Sequence, residues 1–455
     1  MSVSPLIFRQ YDIRGVVGKD LTAQTAHALG RAFAAYLGEH DVRGAVAVGR
    51  DNRPSGGMLR ESLVRALTES GVDVVDIGVV PTPLLYWSLH TLPVVAGIQI
   101  TGSHNPPEYN GFKLCVGTSS LHGEEIQALL RLVQAGRFPA GAGQVHEQRI
   151  IERYIEDIAA RIGRLARPLR VVADCGNGVG ALVAPKLLDR LGVSWTGLFC
   201  ESDGRFPNHH PDPTVVENLQ DLITAVKTTH ADLGIAFDGD ADRLGVIDER
   251  GEIVWGDHVL ILYARDVLAR TGRGQPIIFD VKCSQALPDA IAAAGGTPVM
   301  WKTGHSLIKD KMKAMHAPLA GEMSGHMFFA EGFYGHDDAL YGAARLLRII
   351  AAARRGVSDL LADVPRYVST PELRIDCPEE IKFRVVDDAV RHYRATHEVI
   401  DVDGARVLFG DGWGLIRASN TQPVLVMRVE ARSPERLREI RTELESWLRA
   451  QGVRI

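Results

Sequence analysis

One unit recurs three times in this chain and limits its fold more than any other feature. It is a short apolar strand, a polar or Gly-rich turn, a helical stretch closed by glycine, and a second apolar strand. The first copy runs from Ala45-Val46-Ala47-Val48 through a helix near Gly57 to Glu69, then Gly71 and Val72 to Ile77. The second runs from Leu169-Arg170-Val171-Val172 through Ala181 to Arg190, then Gly192 and a strand at Val193. The third starts at Pro276-Ile277-Ile278-Phe279, continues through Ser284 to Ala293 and turns at Gly295-Gly296 into Thr297 to Trp301. Each reads as a βαβ crossover whose glycine stops the helix. Three copies predict three similar α/β domains.

Beyond about Pro365 the pattern changes to strand-like Gly404 to Phe409, a Gly-rich turn, Val424 to Val429 and a final helix. In that helix Leu437, Ile440, Leu444 and Leu448 follow the capping candidate Ser433 at spacings of three or four. A smaller α+β domain is expected there. The predicted domains are 1–148, 149–251, 252–364 and 365–455.

The charge balance excludes some partners. Lys and Arg total 51 against 56 Asp and Glu, a net charge of -5. That gives no long-range attraction for nucleic acid or an anionic membrane, so an anionic ligand must be held by local cation clusters. Five scattered cysteines with no C-x-x-C pair argue against a disulfide framework or a zinc site and favour a reducing cytoplasm. No apolar run approaches the ~18 residues of a membrane helix, and no signal segment opens the chain. The expected protein is soluble, cytoplasmic and monomeric.

Four loops carry chemistry-bearing residues. Asp238-Gly239-Asp240-Ala241-Asp242-Arg243 lies between two apolar runs, and acids at every second position converge on one oxygen-seeking cation. An EF-hand is rejected, because Arg243 stands where that loop needs glycine and strands rather than helices flank it. Thr101-Gly102-Ser103-His104-Asn105-Pro106 puts a hydroxyl on a tight turn. In Gly321-Glu322-Met323-Ser324-Gly325-His326 a carboxylate and a hydroxyl two residues apart can grip neighbouring sugar hydroxyls. Arg417-Ala418-Ser419-Asn420-Thr421-Gln422-Pro423 offers a guanidinium fork, hydroxyls and an amide to phosphate oxygens. Each is also an ordinary polar loop when read alone. Asp174 to Ala181 satisfies G-x-G-x-x-A, but a nicotinamide site leaves the other four loops unexplained, and a Gly-rich βα turn is preferred.

Together with Phe8-Arg9-Gln10-Tyr11-Asp12-Ile13-Arg14-Gly15, these loops resemble the α-D-phosphohexomutase superfamily, most closely its bacterial phosphomannomutase/phosphoglucomutase branch. The resemblance spans the chain. It implies three similar α/β domains with mixed sheets and a smaller C-terminal α+β domain around a central cleft, and an isomerase interconverting the 1- and 6-phosphates of mannose or glucose. It assigns Ser103 as a phosphoserine and Asp238, Asp240 and Asp242 as Mg²⁺ ligands, with a phosphoserine oxygen completing the set. Glu322 and Ser324 would bind sugar hydroxyls, and Arg417, Ser419, Asn420 and Thr421 the non-reacting phosphate. Tyr11, Arg14, His104, Lys113, Arg243, Lys282, His305 and His326 fall at cleft positions. Lys113, His104, His305 and His326 are base candidates, and Lys113 and His326 are favoured by position. Gly102, where many relatives carry Ala, is expected to loosen the serine loop. Products of such chemistry feed nucleotide-sugar synthesis for surface polysaccharide.

The reaction explains the residue types. A hexose holds its 1- and 6-oxygens at opposite ends of the ring, so a covalent relay through serine and a hexose 1,6-bisphosphate solves the transfer. A phosphoserine carries about -1.5 to -2 at neutral pH. Each pair of unit charges about 4 Å apart costs on the order of 4 kcal/mol at an effective dielectric of 20. Three aspartates beside it therefore require a cation.

Overall fold

The computed structural model describes residues 3–420 and 423–455. The first repeat builds a sheet in the order Ile13–Val16, Tyr109–Val116, Val94–Ile100, Ala45–Arg50, Val74–Val79, Val145–Glu147, with Ser119–Ser120 beside Tyr109–Val116. Ala45–Arg50 and Val74–Val79 are parallel neighbours joined through the helix Gly56–Glu69, as the crossover pattern requires. The second sheet runs Ile253–Val254, Leu244–Asp248, Leu233–Phe237, Arg170–Asp174, Ser194–Leu198, and the third Thr297–Trp301, Pro276–Asp280, Leu319–Gly321, Met327–Phe329.

All three sheets change from parallel to antiparallel at the same topological point. Val94–Ile100 is parallel to Ala45–Arg50 but antiparallel to Tyr109–Val116. Leu233–Phe237 stands likewise between Arg170–Asp174 and Leu244–Asp248, and Leu319–Gly321 between Pro276–Asp280 and Met327–Phe329. The connections across these antiparallel pairs are residues 101–108, 238–243 and 322–326, which are the serine, Asp and Glu-Met-Ser loops. Each leaves the carboxyl end of a parallel strand, where open α/β sheets place their ligand crevice. In the fourth domain an antiparallel sheet runs Val368–Ser369, Val424–Ala431, Gly412–Ala418, Ala405–Leu408, Glu398–Ile400. The segment after Ala418 joins two of its neighbouring strands.

Packing follows the apolar periodicity. Ser433 caps Pro434–Ala450 by accepting the Arg436 N–H, and Ile440, Leu444 and Leu448 lie on one buried face against Met427 and Val429. Another apolar cluster runs without a break from Trp87 and Tyr154 through Ile235 and Phe237 to Phe329 and Leu340, joining the first three domains. The fourth domain meets the third through buried polar contacts. Arg406 Nη1 donates to the Val281 and Cys283 carbonyls at 2.6 and 2.8 Å, with its guanidinium 3.7 Å from the Trp413 ring centroid. Among the described residues no helix is long and apolar enough to cross a membrane.

Candidate active site

The serine and Asp loops meet face to face. Ser103 is buried, with a left-handed backbone at φ 48°, a conformation that costs a non-glycine residue about 1–3 kcal/mol. Its Oγ donates to Asp238 Oδ2 at 3.0 Å and lies 3.0 Å from His104 Nδ1. The loop is held in shape by Arg53, whose guanidinium donates to the carbonyls of Ser103, Asn105, Pro106 and Tyr109 and pairs with Asp51. This corrects the reading of Gly102. A Cβ there would fall 2.6 Å from the Arg53 guanidinium carbon, so the glycine admits the clamp and does not loosen the loop.

Asp238, Asp240 and Asp242 are fully buried, and one carboxylate oxygen of each lies within 4.8 Å of the others. Both oxygens of Asp238 and Asp242, and one of Asp240, have hydrogen-bonding neighbours. Asp238 Oδ1 accepts the Asp242 and Arg243 N–H groups at 3.0 Å. Asp240 Oδ2 accepts from Thr82 Oγ1 at 2.5 Å, Lys113 Nζ at 3.1 Å and Thr101 Oγ1 at 3.2 Å, while its buried Oδ1 has no partner. Lys113 also donates to Asp242 Oδ2, and His326 Nε2 lies 3.0 Å from Asp242 Oδ1. Burial, with Asp242 and Asp240 beside it, pushes the Asp238 carboxyl well up, whereas Lys113 and His326 hold Asp242 down against its burial. An all-oxygen set with a buried Asp240 Oδ1 that has no partner fits a hard divalent cation.

The Glu-Met-Ser loop is joined to this centre. Leu244 N–H donates to the Gly325 carbonyl at 3.0 Å, and Arg243 Nε lies 3.4 Å from His326 Nε2. Glu322 Oε2 lies 2.7 Å from His326 Nδ1, and its Oε1 accepts the Gly304 N–H at 2.6 Å. Ser324 Oγ is 3.3 Å from His326 Nδ1. Burial opposes a charged His326, but Asp242 and Glu322 outweigh it and raise its pKa to about 9. Burial likewise opposes the Lys113 ammonium, and Asp240 and Asp242 outweigh it. The two favoured base candidates are therefore cations here. His104 and His305 are pushed well down, chiefly by burial, and are neutral.

The fourth loop lies across the cleft. Tyr11 OH donates to the Thr303 carbonyl at 2.8 Å and accepts from Asn420 Nδ2 at 2.6 Å, joining the first, third and fourth domains. Burial raises the Tyr11 phenol to about 12. Arg417 pairs with Asp403 through Nε and Nη2 at 3.1 and 3.0 Å, and Lys282 with Glu372 at 3.2 Å. Arg14 donates to Asp12 and Asn105 at 2.5 Å each. The Ser419 N–H bonds the Val424 carbonyl, and its own carbonyl accepts Lys382 Nζ. Thr421 lies outside the described residues.

Sequence reasoning missed Arg53, Thr82, Thr101 and Asp403. Gly49-Arg50-Asp51-Asn52-Arg53, charged residues at the carboxyl end of the first repeat's parallel strand, was the available signal. The G-x-G-x-x-A loop opens a short 3₁₀ turn, Val179–Leu182, and a Cβ on Gly178 would fall 2.9 Å from the Gly239 carbonyl. Its glycines make room for the Asp loop, which stands where a dinucleotide pyrophosphate would need to approach.

Comparison with known proteins agrees with this geometry. The three α/β/α domain models of phosphoglucomutase/phosphomannomutase match residues 5–139, 152–251 and 255–367, and its C-terminal domain model matches 372–446. The chain is 49% identical over 447 residues to the phosphomannomutase/phosphoglucomutase of Pseudomonas aeruginosa, covering 98% of this chain and 96% of that one. It is 47% identical over 450 residues to a phosphoglucomutase of Neisseria gonorrhoeae, covering 98% and 97%. A crystal structure of a phosphoglucomutase/phosphomannomutase family protein from Burkholderia thailandensis superposes with a TM-score of 0.92 at 44% identity, covering 99% of this chain and 98% of that one. The chain belongs to the phosphoglucomutase/phosphomannomutase family, isomerases that interconvert sugar 1- and 6-phosphates.

Proposed function

We propose that Ser103 is the phosphoryl carrier of this mutase, and that the observation carrying the assignment is its buried Oγ 3.0 Å from Asp238 at the meeting of two catalytic loops. Phospho-Ser103 gives its phosphoryl to the free hydroxyl of a hexose 1- or 6-phosphate. The resulting hexose 1,6-bisphosphate turns over in the cleft and returns its other phosphoryl to Ser103. Asp238, Asp240, Asp242 and an oxygen of the phosphorylated Ser103 would hold Mg²⁺, which supplies charge neutralisation and polarisation of the phosphoryl group. Lys113 keeps Asp240 and Asp242 together between turnovers.

His326, a cation held between Asp242 and Glu322, has no free nitrogen to take the proton of the attacking hydroxyl and presents positive charge to the transferring phosphoryl group instead. His104, neutral beside Ser103 Oγ, exchanges the hydroxyl proton there. Arg14, Arg243 and His305 line the reacting end. Glu322 and Ser324 grip the sugar hydroxyls, while Tyr11, Lys282, Arg417, Ser419, Asn420 and Thr421 hold the distal phosphate. Substrates are mannose and glucose phosphates. The enzyme works as a cytoplasmic monomer, because one chain supplies all four loops and its five cysteines are free thiols. We set the domain limits near 148, 251 and 364, where the first three matched segments end at 139, 251 and 367.

The test is intact mass and phosphopeptide mapping, then assay on mannose and glucose 1-phosphates with a trace of bisphosphate. One phosphate on Ser103, and a Ser103→Ala variant that takes up none and has lost turnover, is the expected result. A fully active Ser103→Ala variant ends this mechanism.

A further inference from the structure

Two cysteines that lie 25 residues apart in sequence meet beneath the catalytic loops. Cys175 follows Arg170–Asp174 and Cys200 follows the parallel neighbour Ser194–Leu198, and their Sγ atoms are 2.8 Å apart. Cys175 is buried and Cys200 partly exposed. The segments that follow them are fastened to both reacting loops. Val179 N–H donates to the Gly239 carbonyl at 3.0 Å, and Asn177 Nδ2 to the Glu201 carbonyl at 2.8 Å. Asn52 Nδ2 bridges the Asn177 carbonyl at 2.7 Å and Ser202 Oγ at 2.9 Å. A Cβ on Gly204 would fall 2.6 Å from the Arg53 Cα. A movement of either cysteine therefore reaches Gly239 in the Asp loop and Arg53, the clamp of the serine loop.

We propose that Cys175 and Cys200 form a redox-active dithiol, closed to an internal disulfide by hydrogen peroxide and reopened by a small thiol, whose closure is felt at the serine and Asp loops. Cys200 is the attacking thiol, being the more exposed, and the hydrogen bond between the two thiols favours its ionised form. Its sulfur attacks the O–O bond, forming an S–O bond and releasing one molecule of water. Cys175 sulfur then displaces hydroxide from that sulfenic acid, which leaves as a second water. Two electrons pass from the sulfur pair to the peroxide, and the two thiol protons end in the two waters. Two small thiols reverse the bond through a mixed disulfide and are themselves oxidised.

Closure to a bond of about 2.05 Å requires the sulfurs, now 2.8 Å apart, to approach by less than ~1 Å. A misplacement of ~1 Å at a reacting group can lower a rate by about 100-fold, and a remote brace that transmits part of it is expected to lower kcat about tenfold. Cys115, Cys283 and Cys377 have no thiol partner among the described residues.

The experiment uses the Mg²⁺-loaded enzyme titrated with hydrogen peroxide, trapped with an alkylating reagent, mapped by mass spectrometry and assayed for mutase turnover before and after dithiothreitol. The expected result is one Cys175–Cys200 cross-linked peptide, a fall in kcat of about tenfold and recovery with reductant. Cys200→Ser, with Cys200→Ala as a second variant, keeps the basal rate and loses the response. The proposal is overturned if Cys200 is oxidised without cross-linking or the cross-link leaves kcat unchanged. It is equally overturned if reductant does not restore the rate or if both Cys200 variants respond as the parent does.

Discussion

Around Ser103 almost every charge is answered inside the protein, by three domains at once. Asp240 takes donors from Thr82, Thr101 and Lys113, and Asp242 takes them from Lys113 and His326, all of them buried. Around Arg417 and Lys282 the nearest answers are carboxylates that reach solvent, Asp403 with its side chain 16% exposed and Glu372 with 26%, and only the buried Asp280, 3.7 Å from Lys282, stands behind them. The first arrangement is preorganised, so nothing need move when a phosphoryl group arrives. The second is exchangeable, because a substrate phosphate can take the place of a carboxylate that water already reaches. An enzyme that must hold either end of one sugar needs that asymmetry.

The largest effect expected from breaking the comparison is at the preorganised end. Asp240→Asn removes one charge from the cation site, and several kcal/mol of transition-state stabilisation corresponds to about a thousandfold loss of kcat. The fold should survive, because Asp240 raises the cost of ionising its neighbour Asp238. Turnover assays and thermal unfolding of the metal-free protein check both halves. An active variant, or one that unfolds more readily, contradicts the assignment. At the exchangeable end Arg417→Ala should raise KM and leave most of kcat. Losing a charge-assisted contact of about 2 kcal/mol costs roughly 30-fold in kcat/KM. An equal fall in kcat with KM unchanged would mean that Arg417 acts in the transition state.

Thr82 sharpens the contrast at smaller scale. Its hydroxyl bonds Asp240 Oδ2, fixing which carboxylate oxygen is left free, while its backbone N–H bonds the Asp240 main-chain carbonyl. Thr82→Val should weaken binding of Mn²⁺, a paramagnetic substitute for Mg²⁺, by about tenfold, and Thr82→Ser should restore it. Equilibrium titration by electron paramagnetic resonance measures this without turnover. Equal affinities in all three proteins would show that Asp240 orients itself.

The legible part of this molecule was local and repetitive. βαβ units announce themselves through apolar runs and glycine stops, and each catalytic loop stood out because it interrupts two such runs with polar residues. Sequence did not show that these loops share one topological position, since that depends on strand order. Nor did it show Arg53, whose partners are backbone carbonyls 50 to 56 residues away and carry no side-chain signature. The fold brings Lys113 and His326 to the Asp loop, and their charge depends on carboxylates 127 and 129 residues away for Lys113 and 84 for His326. The five cysteines are free thiols, as their scatter led one to expect, but their spacing did not show that a parallel strand pair brings Cys175 and Cys200, 25 apart, into contact.

The smallest effect lies where the first and third domains touch outside the reacting centre. His122 Nε2 is 2.6 Å from Asp310 Oδ2, on the helix His305–Met315, and Lys313 Nζ donates to Ser119 Oγ at 2.9 Å. The hydrogen bond to Asp310 raises the His122 pKa. A histidine whose pKa is raised by the folded contact contributes fully below its unfolded value of about 6.5, and the contribution is lost as pH rises through the raised value. The two side chains are 21% and 47% exposed, so solvent screens the pair and only a slight loosening follows. Small-angle scattering should show the radius of gyration rising as pH passes upward through that window, with His122→Ala already at the larger value and indifferent to pH. If the parent and variant curves coincide, the contact between these domains rests on their shared apolar packing alone.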